Sequence, residues 1–335
     1  MPAPLVTVVI PTLAADDALA ECLRALESQT LDRFEVIVVD NSGCARARAN
    51  DRDRVRILAN DRNVGFGAAI NRGIRESESP LIAALNDDAV PHPGWLAALV
   101  KAAEDHPKAG MFASQVRLAG TNVLDSAGML MARDGSSKQR GHGQQPESFA
   151  SDRDTLFPSG SAAMYRRKML DEIGLFDERF FLYCEDSDLG LRARWAGWEA
   201  WYAAGAVVEH AYSKSAGRAS ALKAYYVERN RLYTVIKNFP FLALAEVPVY
   251  SFMRYLWHLV FMTASTGKAA EFREEGGPGW LLPFLVARAF ASALVRVPYL
   301  LGERRRIFRS RRLTSKEFQA LLAAHSIRVR RVAEL

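Results

Sequence analysis

Two short apolar runs, LVTVVI at residues 5–10 and FEVIVV at 34–39, are rich in β-branched side chains and predict buried strands. Between them Leu19, Cys22, Leu23 and Leu26 recur at helical spacing behind Asp16, a residue type suited to cap a helix, so the chain opens β-α-β. The cycle repeats with a strand at 55–58 (VRIL), a helix of small residues over 66–75 and a strand at 81–85 (LIAAL). Strands that are apolar on both faces and alternate with helices predict a buried parallel sheet, hence an α/β fold. Residues 134–154 are polar and glycine-rich, which predicts an exposed loop able to fold over a substrate. After it LFPSGSAAMY predicts a strand, 168–173 a helix, the Leu189 and 191–195 portion another helix, and AWYAAGAVV a last strand.

From about Phe239 the pattern changes. Residues 241–265 and 280–301 are long apolar stretches, interrupted by Glu246, Arg254 and His258 in the first and by Arg288 and Arg296 in the second. An arginine at a bilayer centre costs about 2.5–3.5 kcal/mol. Helices lying in the membrane interface are therefore expected rather than spans, with a helical subdomain or dimer surface as the alternative. Charge sharpens this picture. The chain carries 44 Lys and Arg against 38 Asp and Glu, and its last 35 residues hold ten basic and three acidic side chains, so the excess sits in a tail around Arg304, Arg305, Arg306, Arg309, Arg311 and Arg312. A nucleic-acid enzyme spreads basic charge along its working face, so no nucleic acid is expected as partner; an anionic membrane surface met by one end of the molecule is. Three cysteines without metal-ligand spacing, and a first strand that starts almost at once, lead to the expectation of a reducing cytoplasm.

Polar residues at the ends of apolar strands carry the candidate chemistry, because an open α/β sheet binds ligands there. Neither GxGxxG nor GxxxxGK[ST] occurs, which removes the main support for dehydrogenase and P-loop readings. Pro11 and Thr12 follow the first strand; Asp40 and Asn41 end the second, where a carboxylate can accept hydrogen bonds from a nucleoside, or simply make a turn. Asn63 and Gly65 open a helix where backbone N–H groups allow close approach of a nucleotide, with Asn71 eight residues on; a helix cap would explain them nearly as well. Asn86-Asp87-Asp88 follows LIAAL directly. Adjacent carboxylates repel, and a hard cation, Mg²⁺ or Mn²⁺, would offset that while bridging a diphosphate. Glu185, Asp186 and Asp188 crowd within four residues among Phe180, Phe181, Tyr183 and Leu189, an apolar setting that suits a proton acceptor. His210 adds one candidate metal ligand.

Taken together, IPT, ESQT with FEVIVVDNSG, NVGFGAAINRG, LNDDAVPHPGWL, the long segment SGSAAMYRRKMLDEIGLFDERFFLYCEDSDLGLRARWAGW, VVEH and YYVERNRLYTVIKN resemble the family-2 inverting glycosyltransferases, nearest to their rhamnosyltransferase-like branch, from about Thr7 to Lys237. The resemblance implies a GT-A nucleotide-diphospho-sugar transferase fold, a Rossmann-like mixed sheet flanked by helices, over 1–237, with 238–335 as a basic, amphipathic helical membrane-associating region. It implies that Pro11, Thr12, Asp40, Asn41, Asn63, Gly65, Asn71, Asn86 and Asp87 line the donor site, that Asp88 and His210 hold the metal, and that Asp186 is the catalytic base with Glu185 and Asp188 as companions. Asn86 departs from the all-Asp metal motif and puts strict metal dependence in question. The implied reaction is inverting transfer, first choice rhamnose from dTDP-rhamnose, to a lipid-linked glycan acceptor in cell-envelope synthesis at the inner face of the membrane. UDP-galactofuranose or UDP-hexosamine donors stay open, as does a homo-oligomer. A nucleotide-sugar-binding membrane scaffold is the non-enzyme alternative, and a sugar-1-phosphate nucleotidyltransferase would need a Gly-rich loop that Pro11-Thr12-Leu13-Ala14-Ala15 does not supply.

Overall fold

The computed structural model describes residues 3–48, 54–211, 220–264, 266–274 and 278–335. Its strands are β1 (Val6–Thr12), β2 (Phe34–Asp40), β3 (Val55–Ala59), β4 (Leu81–Leu85), β5 (Ala89–Pro91), β6 (Ala109–Leu118), β7 (Leu124–Ser126), β8 (Met129–Met131), β9 (Ser137–Gln139), β10 (Arg153–Asp154), β11 (Ala162–Arg166) and β12 (Glu199–His210). The helices are α1 (Asp17–Glu27), α2 (Phe66–Arg75), α3 (Trp95–Asp105), α4 (Arg167–Ile173), α5 (Glu185–Trp195), α6 (Ala221–Asn238), α7 (Phe241–Thr263), α8 (Gly267–Glu274), α9 (Leu281–Ser310), α10 (Ser315–Ala324) and α11 (Val329–Glu334). They form two compact units that interleave along the chain. The first comprises Met1–Met129, Gln139–Phe181 and Trp198–Tyr212; the second comprises Leu130–Lys138, Leu182–Gly197 and Ser213–Leu335.

The first unit is built on a ten-stranded mixed sheet with the path β10-β12-β6-β11-β4-β1-β2-β3, to which β5 and β7 add at β12 and β6. β1 lies parallel to both β2 and β4, so the crossovers leave β1 in opposite directions and open a crevice at its carboxyl end. Strand β11 runs antiparallel between β4 and β6. Alternation along β1 sorts the layers: Val6, Val8 and Ile10 join a core with Leu19, Cys22, Leu23 and Leu26 of α1 and Trp95, Leu96 and Leu99 of α3. On the other face α2 presses against Val9, and a Cβ on its Gly73 would lie 2.4 Å from a Val9 methyl carbon. With both faces covered, β1 and β4 are apolar nearly throughout, and each fully buried Val or Leu contributes roughly 1.5–3 kcal/mol. Asp16 caps α1 as its sequence position predicts, accepting from Ala18 N at 3.1 Å.

The second unit is helical. Trp195 at the end of α5 stacks on Phe318 of α10 with ring centroids 4.0 Å apart, and its Nε1 donates to Asn238 O at the end of α6. Val329 and Val332 of α11 pack with Ala132, Tyr250 and Trp257.

Two sequence expectations need correction. The segment 134–154 is exposed only in part: it contains β9, a 3₁₀ turn at Pro146–Phe149 and β10, with Asp134, Gly135, Gly141 and Pro146 buried, while most of 143–153 is exposed as expected. Its polarity serves internal partners. Asp134 accepts from Arg254 Nε at 2.6 Å and from Ser136, pairings no local pattern reveals. The strand expected over LFPSGSAAMY is confined to Ala162–Arg166, because the Pro-Ser-Gly run before it cannot sustain a ladder. Of the apolar stretch 241–265, Ser265 lies outside the described residues.

Candidate active site

In the first unit the predicted residues gather where β1, β2 and β4 end. Thr12 and Asp40 are register partners on the parallel strands β1 and β2. Asp40 is fully buried, and its oxygens accept from Ser42 N at 2.9 Å and Ala47 N at 2.7 Å. Burial alone would raise its pKa, but hydrogen bonds from the Ser42 side chain and the loop backbone outweigh it and hold the carboxyl below its ordinary value. Asp40 thus organises the loop after β2. Pro11 forms the penultimate residue of β1, and the Thr12 hydroxyl accepts from Ala15 N at 3.0 Å.

Asn41, Asn63 and Gly65 form one linked turn. Asn41 donates to Asn63 Oδ1 at 2.9 Å and accepts from Asn60 Nδ2 and Val64 N, each at 3.0 Å, while Asn63 Oδ1 also accepts from Gly65 N. Gly65 has φ +89°, and a Cβ there would lie 2.2 Å from Phe181 O, so only glycine fits. Buried Asn71 uses both ends of its amide on the Phe176 backbone, at 2.8 and 3.0 Å, and reaches Glu178. These side chains fasten α2 to the segment that leads toward the second acidic motif.

The Asn86-Asp87-Asp88 motif leaves β4 beside the end of β12. Burial raises the Asp87 carboxyl above its ordinary range, opposed by a hydrogen bond from Thr12 and reinforced by the neighbouring Asp88 charge. His210 Nε2 lies 3.1 Å from Asp88 Oδ1 and 3.1 Å from the Asn86 amide nitrogen, and its Nδ1 lies 3.3 Å from Asp125 Oδ2. Burial disfavours the charged imidazole, but the hydrogen bonds to Asp125 and Asp88 overcome it and push the pKa up to about 9. The other Asp125 oxygen meets His142 Nδ1 at 3.2 Å. Asp125 and His142 were not singled out in the sequence. A lone Asp in LDSAG and a His in a glycine-rich segment carry no local signal, since their meaning arises only when β7 and β12 flank β6.

One nitrogen and one carboxylate oxygen converge where His210 meets Asp88. That donor pair fits a hard or borderline divalent cation, provided the shared proton is displaced. Among the described residues no group of three or more His, Cys, Asp or Glu is arranged to hold a metal, so a cation here would need ligands beyond these side chains.

The second acidic motif belongs to the helical unit and opens α5. Its N-cap Cys184 and the preceding Tyr183 adopt positive φ values of 64° and 67°, costly for non-glycine residues. Asn230 of α6 secures that turn by donating to Leu182 O and Tyr183 O at 2.8 and 2.7 Å. The three acids then diverge. Asp188 is fully buried and accepts from Arg192, Lys237 and Asn238 at 2.9, 2.9 and 3.0 Å; despite the burial, the Lys237 and Arg192 charges lower its pKa to about 2. Glu185 is buried, Oε2 has no hydrogen-bond partner, and burial together with the Asp186 charge raises it to about 8. Asp186 is only partly buried and accepts from Ser187 N at 2.6 Å, which fixes its carboxylate at the first turn of the helix.

Comparison with known proteins shows the family and the fold. Residues 7–174 match the domain described as Glycosyl transferase family 2. The chain is 31% identical over 247 residues to an N-acetylglucosaminyl-diphospho-decaprenol L-rhamnosyltransferase of Mycobacterium tuberculosis, covering 65% of this chain and 80% of the relative. Over a shorter stretch, 28% of this chain and 33% of the relative, it is 37% identical to the glycosyltransferase AglE of Haloferax volcanii. Among solved structures, GalNAc-T7 with UDP, GalNAc and Mn²⁺ is similar at TM-score 0.59 and 13% identity, covering 87% of this chain and 58% of that one. The mannosyltransferase PcManGT from Pyrobaculum calidifontis, in complex with GDP-Man and Mn²⁺, is similar at TM-score 0.51 and 18% identity, covering 96% and 86%. The sheet order and these likenesses give the GT-A fold that the sequence resemblance implied, and the chain belongs to glycosyltransferase family 2.

Proposed function

We infer that this glycosyltransferase moves a sugar, first choice rhamnose from dTDP-rhamnose, from a nucleotide-diphosphate donor to a hydroxyl of a lipid-linked glycan, with inversion at the anomeric carbon. The observation that carries the reading is the sorting of the acids: Asp188 is committed to buried cations and Glu185 is held toward its neutral form, while Asp186 alone keeps a partly open carboxylate. In this account Asp186 takes the proton from the acceptor hydroxyl as that oxygen attacks, and the nucleotide diphosphate departs in the same step. Asp88 and His210 would hold a divalent ion, Mg²⁺ or Mn²⁺, which when bound neutralises charge on the diphosphate. Asp125, on the far nitrogen of His210, keeps the imidazole oriented with Nε2 toward Asp88, the usual support for a metal-binding histidine. The name of the mycobacterial relative supports both the rhamnosyl donor and the lipid-linked acceptor. The reading places the catalytic machinery in residues 1–237 and the protein on the inner face of the cell membrane.

A panel of nucleotide sugars, each with and without Mn²⁺, tests it by thermal shift, because a donor at 100 times its Kd stabilises the fold by about 2.7 kcal/mol. dTDP-rhamnose should give the largest shift, and only fully with Mn²⁺. A larger shift from UDP-galactofuranose or a UDP-hexosamine would replace the donor, and no shift from any of them would reject the reading.

A further inference from the structure

The charges that interrupt the two long apolar stretches each find a partner within the protein, although Glu246, Arg288 and Arg296 stay exposed. In α9 the guanidinium of Arg288 lies 4.4 Å from the centre of the Tyr225 ring on α6, Ser292 bonds the Tyr225 hydroxyl at 2.8 Å, and Arg296 acts on Tyr233. Farther on, Arg304 donates to Ile236 O and Phe239 O. In α7 buried Arg254 bonds Asp134 and Glu228, each at 2.6 Å, His258 sits beside it, and Glu246 lies 3.6 Å from Arg133.

What remains outside is a mainly apolar face on each helix, which on α7 also holds the exposed Glu246, paired with Arg133. Trp280, Phe284, Ala287, Ala291, Leu294, Pro298 and Leu301 follow one another at alternating steps of three and four residues, the spacing of a single helical face. Arg305 and Arg309 continue that same line past its end. Leu294 is 71% exposed and Trp280 73%. On α7 the matching face carries Leu242, Val249, Phe252, Leu256 and Val260, all exposed. Among the described residues, the large exposed hydrophobic side chains fall almost entirely between Phe241 and Leu301, a concentration that a water-facing surface does not maintain without a partner.

We propose that the outward faces of α7 and α9 dock in the headgroup layer of an anionic membrane, with Arg305 and Arg309 on the phosphates. Charge complementarity selects this occupant over a second copy of the chain. Between Trp280 and Arg312 the acidic residue is Glu303, paired with Arg306, and on α7 it is Glu246, paired with Arg133, so these two faces of a second copy would bring only carboxylates that already have a cation to the arginines. The helix lies on the surface rather than crossing it. By length and composition α9 can span a bilayer, yet it packs along α6, whose Glu228, Asn230, Arg231 and Lys237 could not enter hydrocarbon with it. The sequence expectation of interfacial helices thus acquires a different reason: Arg288 and Arg296 lie off the outward apolar line, and the packing partner forbids a span. The inference deepens the functional reading, whose lipid-linked acceptor gives such a face its use.

Co-sedimentation with vesicles of equal phosphatidylglycerol and phosphatidylcholine tests it on the full chain. The native protein should bind them. The double variant Leu256→Asp/Leu294→Asp, with both sites already exposed, should keep its melting temperature and lose at least roughly tenfold in partitioning. Arg305→Gln/Arg309→Gln should lose about fivefold per charge on these vesicles and nothing on pure phosphatidylcholine. Failure of the native protein to bind, equal binding by the Asp variant, or a dimer in vesicle-free buffer that the Asp substitutions dissociate would each overturn the proposal. Donor thermal shifts measured on the same variants separate the two readings: vesicle binding without any donor shift would leave this surface standing and remove the transferase substrate.

Discussion

Asn86-Asp87-Asp88 and Glu185-Asp186-Ser187-Asp188 look alike as text, yet the molecule deals with their like charges in opposite ways. Two members of the first set meet one imidazole: His210 touches Asp88 and the Asn86 amide, with Asp125 on its other nitrogen, a donor arrangement that suits a cation. The second set is dispersed. Asp188 is neutralised by Arg192 and Lys237, Glu185 is driven toward its protonated form, and Asp186 stays only partly buried, accepting from Ser187 N. A cluster of acids is therefore not one kind of site. Where a histidine stands among the carboxylates the arrangement suits a metal, and where internal cations and burial engage the companions one carboxylate stays partly exposed.

Substitutions can break this contrast, and the largest effect belongs to Asp186→Asn. Turnover should fall by roughly 10²- to 10⁴-fold with donor thermal shift retained, and near-normal turnover would return the base role to another group. Asp188→Asn comes next, but its loss should be in folding: it strands Arg192 and Lys237 in the interior, and breaking such a pair costs about 3–5 kcal/mol. Urea unfolding reads this directly, and an unchanged midpoint would show that Asp188 is not the anchor its contacts suggest.

Glu185 predicts a pH effect of definite sign. Its folded pKa of about 8 lies above the ordinary carboxyl value, so between those two values the folded state holds a proton that the unfolded state has released, and stability falls as pH rises through that window. Glu185→Gln should flatten that slope, removing on the order of 2–4 kcal/mol of pH dependence. A native protein whose urea midpoint is flat from pH 5 to 8 would place the carboxyl in a more polar setting. Smallest is the effect of Asp125→Asn, which should weaken Mn²⁺ binding roughly 10- to 100-fold by titration calorimetry while the melting temperature of the metal-free protein changes little. Unaltered Mn²⁺ affinity would mean that Asp125 serves the fold alone.

How much of this was legible depended on the range of the interaction. β1, β2 and β4 announced themselves because parallel strands covered on both faces must be apolar at nearly every position, and Asp16 announced α1 because a cap acts within three residues. The acidic motifs were visible as anomalies of charge in apolar surroundings, but not how each carboxylate would be settled, since Lys237 and Asn238 reach Asp188 from about fifty residues away. Asp125 stayed invisible for the same reason, lying 85 residues from His210. Asn71 and Asp40 show a further limit: that their polar atoms also hold Phe176 and the loop to Ala47 has no local signal. In α9 the information was present but counted wrongly, because charges summed over a window conceal that Arg288 and Arg296 lie off the face that Leu294 and Leu301 share.

The central claim is a single displacement in which one carboxylate base directs an acceptor hydroxyl at the anomeric carbon. Nuclear magnetic resonance of the product formed from dTDP-rhamnose and a polyprenyl-diphosphate N-acetylglucosamine acceptor tests it most directly. The account predicts a glycosidic bond of anomeric configuration opposite to that of the donor; a product that keeps the donor's configuration would contradict it.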